Sequence, residues 1–241
     1  MPVIAYDIEK QIGSHTILKD VSVRVEKGRI TVVAGPSGSG KTSLIRAMSL
    51  LDPPTKGEIQ IDGTKYHFPA DGTPMPKPWP KLTVVFQQLF LWPHLSLRGN
   101  IELPLRKSLD QPTREHVESL IDEFEMRDWV DRHPNEVSNG QRQRAAIVRA
   151  LCLRPSYILF DEITSALDVE QINKVHNQML ELRERGIGIL LVTHMLDFAV
   201  GCADHVVFMD DGKVVESGDA TILKKPETKR LRQFLFGSNL G

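Results

Sequence analysis

Along most of this chain, short apolar runs of strand length alternate with stretches whose apolar residues recur at helical spacing. Residues 3–8 and 21–25 are rich in β-branched side chains and predict strands. The continuous apolar run 30–34 predicts a strand covered on both faces. A helix is expected over 43–51, stopped by Asp52-Pro53-Pro54. Residues 57–61 predict the next strand, turned by Asp62-Gly63. The stretch 68–80 holds five prolines and reads as a surface excursion, after which 81–86 returns to strand character.

From Leu89 the pattern changes to helices. Thr113 is the expected N-cap of a helix whose Val117, Leu120, Ile121 and Phe124 share one face. A further helix is predicted from about Asn139 to Leu153, closed by Arg154-Pro155. Residues 89–153 therefore read as a mostly helical subdomain inserted between 1–88 and 154–241. Beyond it, 157–160 and 187–193 predict buried strands separated by a helix over 168–185, capped by Gly186. Residues 206–209 and 214–216 form a hairpin around Asp210-Asp211-Gly212, and Pro226 starts a last helix that Gly237 ends. This alternation predicts one α/β domain with a largely parallel sheet and no internal repeat.

Composition narrows the picture only slightly. The formal net charge of −1 balances basic against acidic residues, which argues against a nucleic-acid partner. Cys152 and Cys202 have no CxxC spacing and are expected to be reduced core thiols. No signal peptide and no apolar run near 18 residues is visible, so the chain is not expected to cross a membrane itself.

The densest chemistry lies at Gly35-Pro36-Ser37-Gly38-Ser39-Gly40-Lys41-Thr42, which fits G-x-x-x-x-G-K-[ST], the phosphate-binding loop. A predicted strand enters it, and a predicted helix beginning at Ser43 leaves it. The glycines let successive N–H groups turn inward on phosphate oxygens, and the helix start adds partial positive charge. Lys41 brings a mobile cation for the β- and γ-phosphates, and Thr42 a hydroxyl for Mg²⁺. These features imply a nucleoside triphosphate site.

Two further constellations follow. Asp161 ends an apolar strand and is followed by Glu162. The first is placed to hold Mg²⁺, and the second to take a proton from an attacking water. Ser138-Asn139-Gly140-Gln141 opens a helix with the spacing of a capping box, S-x-x-Q. A capping box does not account for Gly140 in the first turn, where glycine costs about 1 kcal/mol against alanine. A bare backbone there admits a phosphate closely, so the chain carries a second anion-binding helix start.

Taken together these motifs resemble the ATP-binding subunit of ATP-binding cassette (ABC) transporters over nearly the whole chain. Gly35 to Thr42 resembles the family's Walker A, Ile158 to Glu162 its Walker B, and Ser138 to Gln141 its LSGGQ signature. Gln87 resembles the Q-loop glutamine, Ser165-Ala166-Leu167-Asp168 the D-loop, and His194 the switch histidine. The resemblance implies a phosphate-loop (RecA-like) core with an N-terminal antiparallel β subdomain and an inserted helical subdomain. It also implies a head-to-tail dimer with ATP and Mg²⁺ at the seam, between one copy's phosphate loop and the other's Ser138 and Gly140. Gln87 would contact Mg²⁺ or the attacking water, His194 the γ-phosphate, and Asp168 would organise the contact between copies. Implied partners are integral membrane permease subunits, which would hold the chain at the cytoplasmic face, and, for an importer, an extracytoplasmic solute-binding protein. The segment from Leu89 to Leu95 reads equally as subdomain core or as a groove for a permease helix. With the compact single cassette, it is most like importer ATPases for polar amino acids.

Three positions depart from the family pattern. Ile12 stands where an aromatic residue usually stacks on adenine, leaving Tyr6 or His15 as substitutes. Asn139 replaces a signature glycine, and Ile163 a frequent proline. The competing class is a soluble ABC ATPase without a channel, as in iron–sulfur cluster assembly; a dead regulatory module is disfavoured by Lys41, Asp161, Glu162 and His194.

Overall fold

The computed structural model describes residues 1–72, 74–105, 110–163 and 169–237, without the side chains of 169–171 and 197. Strands β1 (Val3–Ile12) and β2 (His15–Val25) form a hairpin longer than their apolar cores predict, because paired backbone carries both through the polar tip. β3 (Ile30–Ala34) leads into the phosphate loop and helix α1 (Lys41–Met48). That helix stops before the predicted Leu51, because Leu50 turns to a φ of 59° two residues ahead of Asp52-Pro53. β4 (Lys56–Ile61) turns at Asp62-Gly63, both at positive φ, into β5 (Thr64–Phe68). β6 (Leu82–Val85) follows the proline-rich excursion.

Between β6 and the next strand lie the α-helices α2 (Leu97–Glu102), α3 (Gln111–Glu123) and α4 (Asn139–Leu151). The α3 cap is Asp110, not Thr113: the Asp110 carboxylate accepts from Thr113 N at 3.0 Å, and Pro112 fits a first turn that needs no N–H. Then come β7 (Tyr157–Asp161), α5 (Val169–Glu184), β8 (Gly188–Val192) and α6 (Leu196–Cys202). β9 (His205–Asp210), β10 (Lys213–Gly218) and α7 (Lys229–Gly237) complete the fold. The last helix starts after Pro226, at Lys229, because the Glu216 carboxylate holds the N–H groups of Glu227 and Thr228 outside it.

Two sheets result. β2-β1-β4-β5 is antiparallel, and β10-β9-β3-β8-β7-β6 is parallel except for the β9–β10 hairpin. Alternation along the buried strands serves two cores. Ile158 and Phe160 face the helical side with Leu97, Ile101, Ile147 and Val148. Tyr157 and Leu159 face α1 and the antiparallel sheet, with Leu44, Ile45 and Val23. Cys152 and Cys202 are free, and burial pushes each thiol up to about 12. Among the described residues no helix is long and apolar enough to cross a membrane.

Phe160 is wholly buried on the helical face of this sheet. Phe160→Ala should lower unfolding stability by about 3–5 kcal/mol, read as a reduced urea midpoint at constant slope.

Candidate functional site

Four parallel strands bring the motif residues to one edge. β3 pairs Val33 with Val192 of β8, β7 pairs Asp161 with the same Val192, and β6 pairs Val85 with Phe160. Each strand therefore ends at the same level, about 4.8 Å from its neighbour. Gly35 emerges two residues after Val33, His194 two after Val192, Glu162 two after Phe160, and Gln87 two after Val85. Ligands of open parallel sheets bind beyond such carboxyl ends.

The phosphate loop is shaped by close backbone approach. A Cβ on Gly35 would lie 2.1 Å from the Met209 carbonyl oxygen, so only glycine fits beside β9. Gly212, in the β9–β10 turn, has no such role in its sequence pattern. Here it donates to Ser39 O at 3.2 Å, and a Cβ on it would meet Ile17 O at 2.3 Å. The turn is thus wedged between the loop and β2. Gly38 and Gly40 take positive φ of 80° and 99°. Lys41 folds back over the loop and donates to the carbonyls of Gly35 and Pro36, both at 2.9 Å. Ser39 Oγ is buried without a partner. In the loop Pro36 is half-buried and Ser37 exposed, and Ser43 follows Thr42 within α1.

Electrostatics concentrate at the same place. Thr42 Oγ1 donates to Asp161 Oδ1 at 3.2 Å, and Asp161 is only 4% exposed. Burial raises the Asp161 carboxyl, against the Thr42 hydrogen bond, which lowers it. Burial lowers the Lys41 ammonium, opposed by Glu162 and Asp161. Each charge is held in a partly desolvated setting with incomplete compensation, a pattern typical of functional sites. Glu162 adopts a left-handed φ of 48°, held by its N–H on Val192 O at 2.9 Å. His194 Nδ1 lies 3.7 Å from Glu162 Oε2. Two oxygens on Thr42 and Asp161, one a buried carboxylate, form a hard donor set that suits Mg²⁺.

At the start of α4, Ser138 Oγ accepts from Gln141 N at 3.3 Å, and Gln141 Oε1 accepts from Ser138 N at 2.9 Å. Within one chain the capping box is formed, while Ser138 and Asn139 are exposed. Asn139 opens the helix, so its position needs no left-handed backbone, and its side chain accepts from Arg142. Ile163 is buried in the helical-side core. Asp168, with Ser165, Ala166 and Leu167, lies outside the described residues.

The alternatives for Ile12 separate clearly. Ile12 is 56% exposed at the end of β1 and pairs directly with His15. Tyr6 pairs with Glu58, six residues earlier on β1, about 20 Å away at the rise of a strand. His15, not Tyr6, neighbours Ile12.

Residues 89–95 divide between the two readings of that segment. Leu89 and Leu91 pack against the core, whereas Phe90 and Trp92 are 54% and 52% exposed. Phe90 meets Phe86 edge to face, and Phe86 lines an apolar groove of about 600 Å³ with Leu51, Trp79, Leu103, Pro104 and Leu153.

Comparison with known proteins agrees with this geometry. The family model described as ABC transporter matches residues 18–165. The glutamate/aspartate import ATP-binding protein GltL of Escherichia coli (strain K12) is 40% identical over 95% of this chain and 96% of its own length. The arginine transport ATP-binding protein ArtM of Bacillus subtilis (strain 168) is 38% identical over 95% of this chain and 96% of its own. A dimeric ATP-binding cassette in a post-hydrolysis state, bound to ADP and Pi, superposes with a TM-score of 0.78. It is 30% identical, covering 90% of this chain and 98% of that one. With the phosphate loop, strand-end carboxylates and helical insertion all in place, this chain belongs to the ABC transporter family as an ATP-binding, ATP-hydrolysing subunit.

Proposed function

We propose that two copies of this chain close head to tail around two ATP molecules and that hydrolysis reopens them, driving a pair of transmembrane permease subunits. The observation that carries this reading is a division of labour. One edge of the sheet gathers Lys41, Thr42, Asp161, Glu162, His194 and Gln87, while the Ser138 helix tip is exposed at the start of α4, where Gly140 would admit a second phosphate to the backbone. Two half-sites on one chain make complete sites when copies pair.

In that dimer Gly35 to Ser43 cradles the phosphates through its backbone, and Lys41 neutralises the β- and γ-oxygens. Thr42 and Asp161 would hold Mg²⁺, with Gln87 beyond them, and the ion supplies charge neutralisation across the phosphate oxygens. Glu162 takes the proton of the attacking water. His194, braced by Glu162 at Nδ1, donates to the γ-phosphate from Nε2. Ser138, Asn139, Gly140 and Gln141 of the other copy face the same phosphate, and Asp168 organises the seam. The adenine contact falls to Ile12 with His15 beside it.

The groove beside Phe86 and Phe90, together with the exposed Trp92, takes the permease. Exposed apolar surface of this kind marks a docking site, and residues 89–153 would move with it as one unit. The chain then works at the cytoplasmic face of the membrane through that contact. Since GltL is an import protein for glutamate and aspartate, and ArtM a transport protein for arginine, the cargo is a polar amino acid, delivered by an extracytoplasmic solute-binding protein.

Glu162→Gln should retain ATP binding, lose about 10²–10⁴-fold in turnover, and elute as an ATP-stabilised dimer in gel filtration; hydrolysis at the wild-type rate would remove Glu162 from the role of base. Ile12→Tyr should tighten ATP about tenfold, within the range of base–aromatic stacking, and calorimetry giving an equal or weaker affinity would refute the assignment. Phe90→Asp with Trp92→Asp should move the protein from the membrane fraction to the supernatant while leaving its basal ATPase intact; retention on membranes at the wild-type level would place the permease contact elsewhere.

A further inference from the structure

Gln87 lies between two anchors. On one side β6 is bonded into the sheet beside β7, with Val85 opposite Phe160. On the other, two and three residues beyond Gln87, the backbone is held by a single side chain. Arg149 Nη2 donates to Leu89 O at 2.6 Å and Nη1 donates to Phe90 O at 2.8 Å. These carbonyls are its polar partners among the described residues, so the guanidinium acts here as a backbone clamp, not as half of an ion pair.

Arg149 stands in the last turn of α4, the helix that begins at the Ser138 tip. Eleven residues separate the two, about 17 Å of helix. Between them Gln143, Ala145, Ala146, Ile147 and Val148 are buried, which fixes α4 in the helical subdomain. Asn100, wholly buried on α2, continues the attachment. Its Oδ1 accepts from Trp92 N at 2.6 Å, and its Nδ2 donates to Leu95 O and Ser96 O at 3.2 and 2.9 Å. Phe90 is held at a left-handed φ of 48° at the clamped position.

We propose that Arg149 is a positioning residue for Gln87. It ties the segment that presents Gln87 to the same helix that presents Ser138, so engagement of the helix tip and placement of the glutamine become one movement. The inference rests on the role given to Gln87 above. A planar fork is needed to hold two consecutive carbonyls, and an ammonium does not reproduce it.

A double-mutant cycle on the full chain tests this, with Arg149→Lys, Arg149→Ala, Gln87→Ala and the paired substitutions, measuring ATP affinity and steady-state hydrolysis. Arg149→Lys should lower kcat about tenfold while ATP affinity stays within about twofold. Adding it to Gln87→Ala should cost nothing more, and millimolar guanidinium should restore Arg149→Ala. A merely structural residue would instead lower thermal stability, and its loss would multiply with that of Gln87→Ala. Multiplying losses, or Arg149→Lys at the wild-type kcat, overturn the proposal. Gln87→Ala at the wild-type rate would overturn the prior reading of Gln87 as well, so the two failures are distinguishable. If Arg149→Ala does not fold, the lysine variant runs the same cycle.

Discussion

Backbone hydrogen bonds pairing β3, β8, β7 and β6 in parallel set the level at which the motif residues leave the sheet. A slip of one residue in any of those registers would invert which side chains face each core. It would also move Glu162 or His194 by a full residue along the edge. Strict register is enforced because these strands are buried on both faces, with Ile158 and Phe160 committed to one core and Tyr157 and Leu159 to the other. The packing that stabilises the domain is therefore the same packing that aligns the chemistry.

Within that frame the site is electrostatically unfinished. Asp161 is buried beside Glu162, and the Thr42 hydrogen bond and the nearby Lys41 and Arg46 charges only oppose the cost of that burial, while Lys41 loses solvation and leans on carbonyl oxygens. A phosphate chain with a divalent cation answers both needs at once: it offers negative charge to Lys41 and positive charge to Asp161. Local backbone contributes as well, since Glu162 takes an unfavourable φ while its N–H is bonded to β8. That bond and the Nδ1 contact of His194 link the two strand ends.

The helical insertion connects this edge to surfaces far from it. α4 carries the Ser138 cap at one end and the Arg149 clamp near the other, and the clamped segment exposes Trp92 and also Phe90, which packs on Phe86 of the apolar groove. Anchored leucines and exposed aromatics alternate over 89–92, which is how a single stretch is both core and surface. Asn100 makes this arrangement stiff by occupying one backbone amide and several carbonyls of the loop it faces.

Much of the site was legible in residue order. The phosphate loop, the carboxylate pair after 157–160 and the capped helix at Ser138 are short-range devices, written in consecutive residues whose backbone chemistry is local. Strand and helix sequence followed from periodicity for the same reason. Element ends did not: Asp110 displaced Thr113 as cap, Leu50 cut α1 short, and Glu216 delayed α7, each by a particular hydrogen bond or dihedral that periodicity does not encode. The tertiary structure alone decided which elements lie side by side, and so it alone joined Gly35 to Met209, Gly212 to Ile17, and Arg149 to carbonyls 60 and 59 residues earlier. Each of those contacts is made to main-chain atoms of a distant segment, which every residue possesses and no side-chain pattern marks.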